Sequence, residues 1–262
     1  MKALMLWTLL ALSSFGHAES FDHSHRDWTL LLERHVQWTR DGVTSEVDYL
    51  SFAKDRASLE AYLLQLSEVN GAEFDHWARD ERLAFLINAY NAFTVQLILD
   101  HYPVASIKNI GNLFSSPWKR RFISLLGATR SLDDIEHRLI RQTGRYDEPR
   151  IHFVVNCASL GCPALRPAAM TAAQLNEQLE DSLERFLRDR QRNRFDPQAN
   201  RLEVSGIFDW YADDFERDAG SVIRFLAERA SWLSDVPAEQ QRIRDGVELE
   251  FLDYDWRLNE AR

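Results

Sequence analysis

The only two thiols of the chain, Cys157 and Cys162, fall in one short stretch: Ile151-His152-Phe153-Val154-Val155-Asn156-Cys157-Ala158-Ser159-Leu160-Gly161-Cys162-Pro163. A cysteine attacks as its thiolate, so reactivity needs a setting that lowers its pKa and leaves it reachable. Cys157 ends an apolar run that reads as a strand, and the small residues after it would let a substrate carbonyl approach. If it also opened a helical turn, the helix N-terminus would favour the thiolate and supply backbone N–H groups for an oxyanion. Two structural roles compete: a small buried hydrophobe, or a local Cys157–Cys162 disulfide, which an oxidising compartment would favour. The spacing His152-x4-Cys157-x4-Cys162 also invites a zinc reading. Structural zinc sites show tighter pairs and a fourth ligand, and on one strand His152 and Cys157 would point to opposite faces. Neither a metal nor a cofactor is expected.

A thiol nucleophile needs a base and a group to orient it. Of the eight histidines, His17, His23 and His25 sit in the N-terminal leader. His137, in Leu132-Asp133-Asp134-Ile135-Glu136-His137-Arg138, is the first candidate base, and His152, nearest the thiol in sequence, is the second. The commoner roles are a surface histidine for the first and a hydrogen-bonded core residue for the second. Asn88 and Asn91 lie three apart on one face of an apolar helix. A buried amide must be bonded, so each ties down a loop, the commoner role, or faces a site. Asp209 could orient an imidazole or simply cap a helical turn. Lys119-Arg120-Arg121 could hold an anion, although a short basic run is more often a solvated loop.

The elements that must position these groups follow from periodicity. The chain has 31 Lys+Arg against 41 Asp+Glu, a formal charge of −10, with 45% hydrophobic and 27% charged residues. That is globular composition, and its acidity argues against nucleic acid or an anionic membrane as partner. Residues 1–18 carry one positive charge, an apolar run and a small-x-small end at Gly16-His17-Ala18, the three parts of a secretory signal. An exported protein, periplasmic or secreted, is predicted. No later stretch offers roughly 20 apolar residues without charges, so no membrane span is expected once that segment is removed.

Residues 28–38 and 58–69 show helical spacing, and residues 82–99 are apolar on every side, as in a buried central helix. A hairpin over 122–132, a helix over 133–141 and a strand over 151–155 follow. Beyond them come a helix capped by Thr171, a strand at 201–204, helical segments at 209–215 and 221–230, and a closing strand over 247–258. The charged residues 188–194 read as a loop. The pattern predicts a helix-rich single α+β domain with a small, mostly antiparallel sheet, and an N-terminal helical segment (19–70) packed on the domain of 71–262.

Together these segments resemble the family of domain of unknown function 547. The matching pieces are Phe85-Leu86-Ile87-Asn88-Ala89-Tyr90-Asn91, Leu132-Asp133-Asp134-Ile135-Glu136-His137, and Arg150-Ile151-His152-Phe153 leading into Asn156-Cys157-Ala158-Ser159 and Cys162-Pro163. Trp210-Tyr211 with Asp214-Phe215 continue the pattern, which spans roughly residues 75–226. Leu86 stands where the family favours Trp, a packing change that leaves the polar residues in place. Members occur as exported or lone-domain proteins in bacteria and behind a coiled-coil region in plants. The resemblance brings no established activity; by fold-level analogy its ordered Cys, His and Asn or Asp are similar to a papain-like or transglutaminase-like thiol site.

Two functions remain. One is a thiol-dependent hydrolase or acyltransferase acting on an amide or thioester of a small-molecule or peptide substrate. Cys157 would attack, His137 or His152 would take its proton, and Asn91 or Asp209 would orient the imidazole. The other is a non-catalytic interaction module pinned by a Cys157–Cys162 disulfide. A dithiol redox protein would need the C-x-x-C spacing that is missing here.

Overall fold

The computed structural model describes residues 20–111 and 116–261; the expected export segment, residues 1–18, lies outside them. The chain enters through α1 (Arg26–His35), whose Trp28, Leu31, Leu32 and His35 face inward. The helix expected to run to residue 38 stops at Val36, a β-branched residue with extended backbone, which opens a two-stranded hairpin. Its strands are β1 (Val36–Trp38) and β2 (Ser45–Val47). Next come α2 (Tyr49–Phe52), α3 (Arg56–Glu68), α4 (Gly71–His76) and α5 (Arg79–Leu99). The spacing of Leu59, Tyr62, Leu63 and Leu66 puts all four inside, as predicted.

α5 is the axis of the molecule. Every residue from Leu83 to Val95 is buried, and at its start the Glu81 carboxylate accepts the Ala78 N–H at 2.8 Å. By length and composition α5 could cross a membrane, yet 89% of its most apolar stretch is enclosed by the protein itself. It is a core helix, packed on α3 with α1 behind.

Beyond α5, β3 (Ile123–Leu125) and β4 (Ala128–Arg130) form the predicted hairpin. Leu126 and Gly127 at its turn both take the left-handed conformation, which a glycine adopts without strain. Asp134–Ile140 winds as a π-helical turn, in which the Arg141 N–H reaches back to the Glu136 carbonyl at 2.8 Å. Single π turns recur at functional sites. The expected strand at 151–155 is instead a 3-10 turn, Pro149–Phe153, capped by the Glu148 side chain. A short apolar run reads equally well as strand or buried turn, and proline at its head favours the turn.

α6 (Leu175–Arg188) follows a 3-10 turn, without a side-chain cap from Thr171. The rest of the chain is β5 (Arg194–Asp196), β6 (Arg201–Ser205), α7 (Ile207–Trp210), α8 (Ala212–Ala219), α9 (Val222–Ala227), α10 (Ala230–Leu233), α11 (Pro237–Asp245) and β7 (Glu248–Leu252). β6 pairs antiparallel with β5 and parallel with β7. The fold is a helix-rich α+β one with small sheets.

Two hydrophobic cores result. The first gathers α1 to α5, the 3-10 turn and the start of α6; the second gathers the end of α6, β6 and the helices after it. The N-terminal helices thus share one core with α5. Residues from both cores, Tyr90 and Val155 from the first and Ile207 and Tyr211 from the second, wall one cleft of about 230 Å³.

Candidate functional site

Two asparagines of α5 hold the backbone that leads to this cleft. Asn88 donates to the Met170 carbonyl (2.8 Å) and accepts the Met170 N–H (2.9 Å). Asn91 does the same across a peptide, donating to the Val154 carbonyl and accepting the Asn156 N–H, both at 2.9 Å. Each amide thus satisfies two buried backbone groups that no strand partners. The loop turns at Ala158, where φ is +59°, and Asn156 bridges it by accepting the Ala158 N–H (2.8 Å) and donating to the Pro163 carbonyl (2.7 Å).

The C-terminal segment closes over this loop. Leu160 and Gly161 donate their N–H groups to the Arg257 and Asp255 carbonyls, both at 2.8 Å. A Cβ on Gly161 would lie 2.9 Å from the Tyr254 ring. Gly161 therefore makes room for the protein's own C-terminal chain.

The two sulfurs stand 2.6 Å apart as free thiols. Cys157 is half-buried and Cys162 buried, and both line the cleft. Cys157 does not open a helix. Its N–H donates to the Cys162 sulfur at 2.8 Å and the next N–H is held by Asn156, so these two backbone donors are already engaged. Near the Cys157 sulfur remain the Ser159 hydroxyl (3.2 Å) and the Tyr254 hydroxyl (3.3 Å). The bond to Cys162, and then burial, push the Cys157 thiol well up. Burial would raise Cys162 as well, but the Cys157 thiol, the Tyr254 hydroxyl and the Cys157 N–H together bring it down to about 7. The pair thus gives up one proton near neutrality and keeps the second. Burial and the two sulfurs hold the Tyr254 phenol well above its usual value, so it stays a donor.

On the facing wall, the buried His152 donates from Nε2 to Asp214 Oδ2 at 2.8 Å, stacked 3.8 Å from the Tyr211 ring. Its Nδ1 has no partner among the described residues. Burial lowers the His152 pKa even though the Asp214 bond works the other way. Burial also opposes the Asp214 charge, but His152 and Arg141 (2.6 Å) hold its carboxyl far below the usual carboxylate range.

The other predicted residues fall differently. His137 lies on the cleft wall, half in solvent, with Nδ1 taking a bond from Arg141 at 2.7 Å. Among the described residues no histidine bonds the Cys157 sulfur. Asn91 orients the loop and not an imidazole, and Asp209 is exposed outside the cleft. Asp214 takes the orienting position expected of those two, because α8 brings it beneath His152. The basic run is a solvated loop whose Arg120 reaches His101 (2.9 Å) and whose Arg121 reaches Asp134 (3.4 Å). Among the described residues no group of three or more His, Cys, Asp or Glu side chains is arranged to hold a metal ion.

Residues 74–187 match the model of a family described as a protein of unknown function, DUF547. Over that segment the chain is similar to the DUF547 family. No curated protein and no solved structure matches it. The DUF547 match includes Asn91, Glu136, His152 and both cysteines, and ends before Asp214 and Tyr254, short of the expected span to residue 226. The site is therefore completed by chain beyond the matched segment. Sequence reasoning missed Glu136, Asp214 and Tyr254 as site residues. Glu136 and Asp214 stood inside the motifs that carried the resemblance, whereas nothing local marked Tyr254.

Proposed function

We propose that the chain is an exported thiol-dependent hydrolase or acyltransferase, with Cys157 as nucleophile and His152, not His137, as its base. One observation carries the reading: a buried imidazole, held through Nε2 by a carboxylate and unpaired at Nδ1, lines the same cleft as the half-buried thiol. With its hydrogen on Nε2, His152 presents a lone pair at Nδ1. As the Cys157 sulfur attacks a substrate carbonyl, its proton passes to Nδ1, and Asp214 stabilises the imidazolium. The Tyr254 hydroxyl donates to the oxyanion in place of the engaged backbone groups. The leaving amine or thiol takes the proton back, and water or an acceptor amine releases the thioester.

The test is acylation by an activated ester, read by intact mass on reduced protein. One acyl group per chain is expected, retained in C162S and absent in C157A; an adduct that survives C157A sinks the assignment. A second reading, the interaction module, is favoured by the 2.6 Å approach of the two sulfurs, from which a thiol oxidant of the exported compartment would take two electrons and two protons to leave a disulfide. Thiol titration of unreduced, denatured protein separates the two, since zero thiols favours the module. Export predicts a mature chain beginning near Glu19, and N-terminal sequencing that finds Met1 would refute it.

A further inference from the structure

The cleft has a charge character that the acyl-transfer chemistry does not require. Glu136 lines it on the π-helical turn, only 5% exposed; the Tyr211 hydroxyl bonds its carboxylate, and its Oε1 has no hydrogen-bond partner among the described residues. Burying a carboxylate without a counter-charge is costly. Asp133 lies on the same wall, and no Lys or Arg is among the described lining residues. The nearby guanidinium of Arg141 is engaged with Asp214 and His137.

The mouth is aromatic. Trp118, Trp210 and Trp256 line it, with Trp210 stacked 5.8 Å from Trp256 and Trp118 edge-on to Trp256 at 5.7 Å. Such π faces attract cations, and the Lys108 ammonium already rests 3.7 Å from the Trp256 ring. A volume of about 230 Å³ is room for one small substrate group and not for a folded partner.

We propose that this cleft binds an organic ammonium group, with Glu136 as its counter-charge and the tryptophans as its walls. Resting on the acyl-transfer reading for the position of the attacked carbon, this makes the substrate an amide or thioester of an amine-bearing acyl group, such as an aminoacyl unit with a free ammonium. The ammonium pairs with the Glu136 carboxylate while the carbonyl lies toward Cys157.

The test titrates the reduced mature chain with n-butylammonium, n-butanol and butyrate at constant ionic strength, followed by tryptophan fluorescence and calorimetry. Butylammonium is expected to bind about tenfold more tightly than butanol, with butyrate weakest. E136Q should abolish that preference, and D133N, at the more exposed rim, should reduce it in part even if E136Q fails to fold. Butyrate binding as well as butylammonium, no saturable response to butylammonium, or a preference untouched in both variants overturns the proposal. The titration is repeated in C157A, where the preference should persist. Loss of acylation with the preference intact removes only the enzyme reading, and acylation without the preference removes only this one.

Discussion

His35 and His152 have nearly the same bonding. Each is buried, each donates from Nε2 to an aspartate at 2.8 Å, each stacks on an aromatic ring, and each has an unpaired Nδ1. What differs is the setting. Asp55, the partner of His35, is 27% exposed and shared with a solvent-facing Arg34, and the pair is not among the described residues lining the cleft that holds the thiols. Asp214 is 10% exposed, is also bound by Arg141 and Arg217, and brings His152 to the wall that carries Cys157. A histidine–aspartate pair is thus a structural device in one place and a candidate relay in the other, so position next to a nucleophile carries the inference and bonding pattern does not.

The largest effect should come from replacing each imidazole in turn. His152→Ala is expected to slow acylation of Cys157 by about 10²–10⁴-fold, the usual worth of a positioned general base, while Asp214 keeps its two arginines and the fold survives. His35→Ala should leave the acylation rate of the folded protein unchanged. Stopped-flow acylation with both variants checks this, and equal losses in the two would erase the distinction.

The asparagines of α5 provide a second contrast, between paired groups that build and unpaired groups that act. Asn88→Leu leaves the Met170 N–H and carbonyl unpaired, and Asn91→Leu does the same to Val154 and Asn156. Each should cost about 1–3 kcal/mol in urea unfolding. Only Asn91→Leu should also slow acylation, because it releases the backbone that ends at Cys157. Unchanged stability in Asn91→Leu would mean its partners find water instead.

These roles differ in how far local sequence could reveal them. α3, α5 and the hairpin at 123–130 were legible because periodicity and a left-handed turn are local properties. The asparagines were legible because an amide inside an apolar helix has only backbone to bond. The turn at 149–153 was not, since a short apolar run fits strand or turn, and with it went the argument that His152 and Cys157 face apart. The site itself is closed by contacts 62 residues apart (His152 to Asp214) and 97 apart (Cys157 to Tyr254). No local pattern encodes such distances, so the sequence points to Asp209 in place of Asp214 and leaves Tyr254 unmarked.

The smallest effect separates the two pairs by pH. Burial holds His152 below its usual pKa, so the unfolded chain takes up that proton first, near 6.5, and stability falls as pH drops below that value. Asp214 is depressed in the folded state, so its contribution is complete above the unfolded value near 3.9 and is lost as pH falls toward the lower folded one. Each proton contributes a slope of at most about 1.4 kcal/mol per pH unit. Urea midpoints at pH values of about 7, 5 and 3.5 should therefore decline in two stages. H152Q should flatten the first stage, and D214N the second. The Asp55 carboxyl is also lowered, by its bonds from Arg34 and His35, but it faces solvent, where such pairs contribute little. D55N should leave the acid limb close to that of the parent. If D55N flattens it as much as D214N, enclosure is not what distinguishes the two aspartates, and the assignment of His152 as base loses its electrostatic support.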